Sequence, residues 1–137
     1  MYLVDTNFIS EFAQRAPNDG VRRWANLHIG DAGISTVAIF ELRLGLAQLP
    51  DGRRRDELLG TIERAISRFG PRVYAFDRAS AEMAGELHGV SARAGRPMSR
   101  MDAQIAGIAA VYGLTLVTRN IRDFEATGLD LINPWGD

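Results

Sequence analysis

Short apolar runs alternate with longer amphipathic stretches from one end of the chain to the other, and this alternation limits the fold more than any other feature. Residues 2–5 read as a buried strand, with Thr6 or Asn7 placed to cap a first helix to about Ala13. Pro17, Asn18 and Gly20 interrupt the pattern, and Val21, Trp24, Ala25 and His28 then fall at helical spacing. A short strand is predicted over Ala32 to Ser35, followed by an apolar helix capped by Ser35 or Thr36 and reaching Leu49. Pro50, Asp51 and Gly52 separate it from a helix with Leu58, Leu59, Ile62, Ile66 and Phe69 on one stripe, so residues 36–69 read as a helical hairpin. Arg72 to Phe76 is a β-branched and aromatic run. Asp77 then caps a long helix that ends at Gly95, Arg96 and Pro97. Ser99 opens a further helix to about Tyr112, with Gly113 as its stop signal, and Leu114 to Thr118 and Leu129 to Asn133 are the last strands. Strands alternating with helices imply a mainly parallel sheet of four or five strands covered on both faces.

Composition narrows the chemistry. The 137 residues show no repeat and no linker, and at 46% hydrophobic content they form one domain, 1–137, able to bury a core without staples. There is no cysteine, which removes disulfides, thiolate metal sites and a thiol nucleophile. All 16 basic residues are Arg, which removes Schiff-base chemistry and a phosphate-loop lysine. The Arg bias fits an Arg-favouring genome, and it also fits recognition of phosphates and bases. His28 and His88 lie in no metal or nucleophile motif. A net charge of −1 argues against a general coat for DNA or an anionic membrane. No apolar run approaches 18 residues and no signal peptide is evident, so a soluble, cytoplasmic protein is expected. Carboxylates remain as the reactive groups.

Four stand out, each with a structural alternative. Asp5 ends the first strand, where open parallel sheets collect function, but an Asp there also serves as a turn-former bonded to local amides. Glu41 falls in an apolar stripe with Val37, Leu44 and Gly45, where a carboxylate needs compensation, either a metal or an Arg from a neighbouring helix; Arg43 points elsewhere. Asp102 completes a capping-box pattern with Ser99, yet aligns with Ile105, Ala106 and Ala109, the face its helix should bury. Asp123 follows Asn120 in the same cap-like spacing. Brought together, such carboxylates would repel one another unless protonated or neutralised by a cation. Mg2+ or Mn2+ binds through one or two carboxylates and keeps waters for a substrate phosphate.

These residues carry a resemblance. Asp5-Thr6-Asn7, Glu41 within Ala-Ile-Phe-Glu-Leu-Arg-Leu-Gly, Asp102 before Ile105-Ala106, and Thr118 to Phe124 followed by Asn133-Pro134-Trp135 resemble a PIN-domain protein of the VapC toxin type, close to the trafficking-linked FitB-like branch. The resemblance runs nearly end to end. It implies a three-layer α/β/α fold and a Mg2+-dependent ribonuclease, with Mn2+ an alternative metal. Its partners would be an RNA substrate, a silencing VapB-type antitoxin, DNA only through that antitoxin, and a second copy in a homodimer. Carried over, Asp5 and Asp102 would be the principal metal ligands, Glu41 and Asp123 would complete the acidic pocket, and Thr6 and Asn120 would be polar support. Arg100 and Arg119, with Arg96 and Arg122, flank the acidic motifs and are placed to receive phosphates. A haloacid-dehalogenase-like phosphatase or a receiver domain would need lysine, and the phosphatase a second Asp where Asn7 stands. The alternative from another class is a non-catalytic partner of a DNA-binding antitoxin, acting in transcriptional regulation.

Overall fold

The computed structural model describes residues 1–137. Its strands are β1 (Tyr2–Val4), β2 (Ala32–Ser35), β3 (Val73–Tyr74), β4 (Thr115–Val117) and β5 (Leu131–Ile132). They form one sheet in the order β3-β2-β1-β4-β5, and every neighbouring pair is parallel. The helices are α1 (Thr6–Glu11), α2 (Asp19–His28), α3 (Thr36–Ala47), α4 (Arg53–Ser67), α5 (Arg78–Arg93), α6 (Arg100–Tyr112) and α7 (Ile121–Phe124). No helix is long and apolar enough to cross a membrane.

The pleat explains the layers. Val4, Ile34 and Val117 face one side, where they join Phe8 and Ile9 of α1, Val21 and Ala25 of α2, Leu42 and Leu46 of α3 and Ile62 of α4 in one core. Leu3 and Leu116 face the other, packed with Leu87 of α5 and Ala103, Ile105, Ala106 and Ala109 of α6. The result is the α/β/α sandwich expected from the alternation of elements, with the sheet at the upper count of five strands. Phe8 and Ile9 are almost fully buried, which contributes about 2 kcal/mol each and holds α1 against the sheet.

Two features of this fold place the site. Val4 is in register with Ile34 on β2 and with Val117 on β4, so the next residues, Asp5, Ser35 and Thr118, end three adjacent central strands at one edge. All three are buried. The chain runs outward from β1 to β3 and then crosses back to β4 and β5, which puts the topological switch point between Asp5 and Thr118. The second feature is the close seating of α5 on α6: a Cβ on Gly107 would lie 2.5 Å from the Ser80 carbonyl oxygen. Gly113, at φ 65°, then ends α6 and turns the chain into β4.

The elements are shorter than the sequence predicts at several ends. The run from Arg72 to Phe76 yields only Val73 and Tyr74 as strand, because β3 is an edge strand with a single neighbour. The first helix stops at Glu11 rather than Ala13. Its cap is Asp5, not Thr6 or Asn7, since the Asp5 side chain reaches the Phe8 amide first.

Candidate active site

Asp5 sits at the tip of β1 in extended backbone, and its Oδ1 accepts a hydrogen bond from the Phe8 amide at 3.1 Å. The local reading of this residue is therefore correct as far as it goes. The side chain is nevertheless buried, and burial pushes its pKa up to about 6, opposed by hydrogen bonding from Thr118 and Phe8 and reinforced by the charges of Asp102 and Glu41. One carboxylate thus caps a helix and stands in an acidic cluster.

Glu41 projects from the half-buried part of α3, where its Oε1 accepts a hydrogen bond from the Thr6 hydroxyl at 2.7 Å. No arginine pairs with it; Arg43 turns to α4 and meets Glu63 at 2.9 Å. The ion-pair alternative for Glu41 is thereby removed. Thr6, unused as a cap, links the start of α1 to α3 instead.

Asp102 lies in the first turn of α6, with its amide donating to the capping Ser99 Oγ at 3.1 Å. Its pKa is raised, first by burial and then by the charges of Asp123 and Glu41, while hydrogen bonding to Ser99 lowers it. Asp5 feels the charges of Asp102 and Glu41, and Asp102 those of Asp123 and Glu41, which places the four carboxylates in one electrostatic neighbourhood. Asp123 is its exposed member, on the single turn of α7. Asn120 precedes that turn but does not cap it: its ψ of 58° lies outside the extended backbone that an N-cap needs. Its side chain makes no hydrogen bond to any of the four carboxylates; its amide donates to Thr118 Oγ1 at 3.1 Å.

The arginines divide into two pairs. Arg96 is ion-paired to Glu125, and Arg119 donates to Asp137 through Nε and Nη2 at 2.9 and 2.7 Å. Arg100 and Arg122 have no carboxylate partner. Arg122 lines a cleft of about 470 Å3 with Asp123, whereas Arg100 faces cavities between α6, α3 and α5. A groove of about 300 Å3 runs from Thr6 and Glu41 along Leu42, Leu46, Leu58 and Ile62.

The donor set defines what could bind. None of Asp5, Glu41, Asp102 and Asp123 has an arginine or histidine within ion-pair reach. No three acidic or imidazole side chains are gathered closely enough to hold an ion by themselves. The group that would suit this donor set is a hard divalent cation, since a buried carboxylate among like charges needs a cation or a proton. Sequence reasoning missed Thr118 and Ser35 as neighbours of Asp5. Their only signal was position, a polar residue ending an apolar run, and it becomes informative once strand order is known.

Comparison with known proteins bears on the chain as a whole. The PIN domain model matches residues 2–128. Plasmid stability protein StbB of Pseudomonas syringae pv. tomato is 40% identical over 137 residues, covering 98% of this chain and 99% of that protein. VapC ribonuclease Y4jK of Sinorhizobium fredii is 34% identical over 137 residues, covering 98% of each. Toxin FitB of Neisseria gonorrhoeae is 33% identical over 139 residues and covered in full, as is this chain. The structure of FitAB bound to an IR36 DNA fragment superposes with a TM-score of 0.90 at 30% identity, over 100% of this chain and 97% of that one.

Proposed function

From the premise that the chain belongs to the PIN-domain family, among the VapC-type toxins and close to FitB, we propose that it is a Mg2+-dependent endoribonuclease and the toxin of a toxin-antitoxin pair. The observation that carries the reading is Asp5: a carboxylate only 7% exposed, at the switch point of a parallel sheet, influenced by two further carboxylates and lacking any cationic side chain. All donors are oxygen, which favours Mg2+ and admits Mn2+. Asp5 and Asp102 would hold the ion, with Glu41 and Asp123 completing the acidic wall. When bound, the ion supplies Lewis-acid activation of a water and neutralises charge developing on the phosphodiester.

The chain's own groups do the positioning. The Phe8 amide fixes the Asp5 carboxylate at the strand tip. Thr6 occupies Oε1 of Glu41, which leaves Oε2 to accept a proton from the attacking water. Arg122, free of any carboxylate and beside Asp123, is placed for a backbone phosphate. The partner we infer is a VapB-type antitoxin, and DNA would be met only through it. The groove that starts at Glu41 suits an antitoxin segment with apolar anchors, because anything laid there also covers Glu41. Phe40 and Leu44, exposed on the outer face of α3, suit a second copy in a homodimer.

The test is cleavage of an RNA pool by purified, antitoxin-free protein with Mg2+, with Mn2+ and with EDTA, beside Asp5→Asn and Asp102→Asn variants checked for folding. Metal-dependent cutting that disappears in both folded variants supports the nuclease. No cutting by any form, with antitoxin binding intact in the variants, would favour the non-catalytic reading in which the protein serves an antitoxin that binds DNA.

A further inference from the structure

Arg119 borders the cleft that holds Asp123, yet its donor edge is already occupied. Nε and Nη2 both donate to a single oxygen, Oδ2 of Asp137. Asp137 is itself held in place, because Asn133 Nδ2 donates to its Oδ1 and to its carbonyl oxygen, each at 3.0 Å. Those bonds keep its carboxyl below the ordinary range, Asn133 first and Arg119 second, so the group is charged at neutral pH. Two residues earlier, Trp135 is buried, donates Nε1 to Glu11 Oε1 at 2.7 Å, and lies with its ring centroid 5.9 Å from Arg119 Cζ. The segment is therefore anchored at Trp135, and the anchor presents Asp137 to Arg119.

The surroundings offer donors that a phosphate can use. Arg119, Asn120, Arg122 and Asn133 give the cleft of about 470 Å3 two guanidinium and two carboxamide groups beside the carboxylates of Asp123 and Asp137, with Ile121 its one apolar lining residue. The Nε and Nη2 edge of an arginine is a two-donor fork that matches two oxygens of a phosphate, whereas Asp137 offers it one oxygen. The pair is about half exposed, and exposed ion pairs are weak, so a phosphate can displace the carboxylate.

We propose that Asp137 is a built-in competitor for RNA: its carboxylate occupies the donor edge of Arg119 that a backbone phosphate next to the scissile bond takes when single-stranded RNA binds. The inference rests on the nuclease reading above. Asp137 then sets substrate affinity, and Arg119 reaches RNA only after the swap.

The experiment measures binding of a labelled single-stranded oligoribonucleotide in EDTA by the full chain carrying Asp5→Asn, across a salt series. Asp137→Asn and Asp137→Ala are expected to lower Kd about three- to tenfold and to steepen the log Kd against log salt slope by about 0.7, the value for one further phosphate on a single strand. Combined with Arg119→Ala, they should change neither quantity. Asp137 variants that bind no tighter, or that gain equally without Arg119, would overturn the inference, the latter by reducing it to removal of a nearby negative charge. Melting curves confirm that each variant is folded. If the unmodified protein cuts RNA and the Asp137 variants bind it as before, this inference alone fails; if the unmodified protein neither binds nor cuts RNA, the nuclease reading fails with it.

Discussion

The candidate site has two sides, or walls, built in different ways. On the side of α1, α3 and α6, the polar groups are set into the protein: Asp5 is buried, Glu41 and Asp102 are half-buried, the Phe8 amide and the Thr6 hydroxyl donate to Asp5 and Glu41, and Ser99 Oγ accepts from the Asp102 amide. On the side of α7 and the last residues, Asp123, Arg119, Arg122 and Asp137 are exposed, and the contact between Arg119 and Asp137 is an ion pair open to solvent. Charges in the first wall are hard to place and fixed once placed; those in the second are screened by salt and free to exchange partners. Fixed charge suits chemistry, where preorganisation lowers a barrier, and movable charge suits substrate capture. The difference between the walls can be tested directly.

The largest effect is expected at the strand tip. Asp5→Asn should lower RNA cleavage more than about 100-fold, beyond what losing a group that merely supports a metal ligand costs, while the fold survives because Asn caps a helix as well as Asp does. Asp123→Asn, on the exposed wall, should lose less than about tenfold. Equal losses in the two would remove the distinction between the walls.

The pH dependence of stability separates them next. Asp5 titrates at about 6 in the folded chain against an ordinary value of 3.8, so the folded state binds the proton more tightly than the unfolded one. Without metal, stability should therefore fall as pH rises from about 4 to 6 and stay level above, by up to about 3 kcal/mol, and Asp5→Asn should abolish this component. Urea melts in EDTA at pH 4.5 and 7 check it. A wild-type chain that gains stability relative to Asp5→Asn over that interval would show that Asp5 is stabilised as an anion by the protein alone.

Smaller effects sharpen the picture. Thr6→Val should lower kcat about tenfold by freeing Glu41, with Thr6→Ser restoring most of it, since only the hydroxyl is needed. Arg122→Ala should raise KM about three- to fivefold and leave kcat nearly as it was, measured over a salt series. A fall in kcat with KM unchanged would move Arg122 to the chemical wall.

Much of the fold and of the candidate site is legible in the sequence, for reasons that differ by region. The helices were readable because caps and stops are local: Ser35, Asp77, Ser99 and Gly113 act as their neighbours in sequence require. The candidate carboxylates were readable because Asp5 ends an apolar run and Glu41 interrupts an apolar stripe. Cap ownership at α1 was not, because Asp5, Thr6 and Asn7 are all competent and only the packed backbone decides among them. Nor was the loss of Arg119 and Arg96 to Asp137 and Glu125, since those partners lie 18 and 29 residues away. Thr118 became part of the site through strand order, which no local pattern carries.

The proposed function requires the buried wall to hold a divalent cation. Its most direct test is a calorimetric titration of Mn2+ and Mg2+ into the metal-free chain near pH 6, in buffers of different ionisation heat, with Asp5→Asn and Asp102→Asn alongside. Metal binding with release of a proton, lost in both variants, is the expected result, because an ion on Asp5 displaces the proton that burial favours there. Equal metal binding by the wild-type chain and Asp5→Asn, or none by the wild-type chain while it cuts RNA in EDTA, would contradict it.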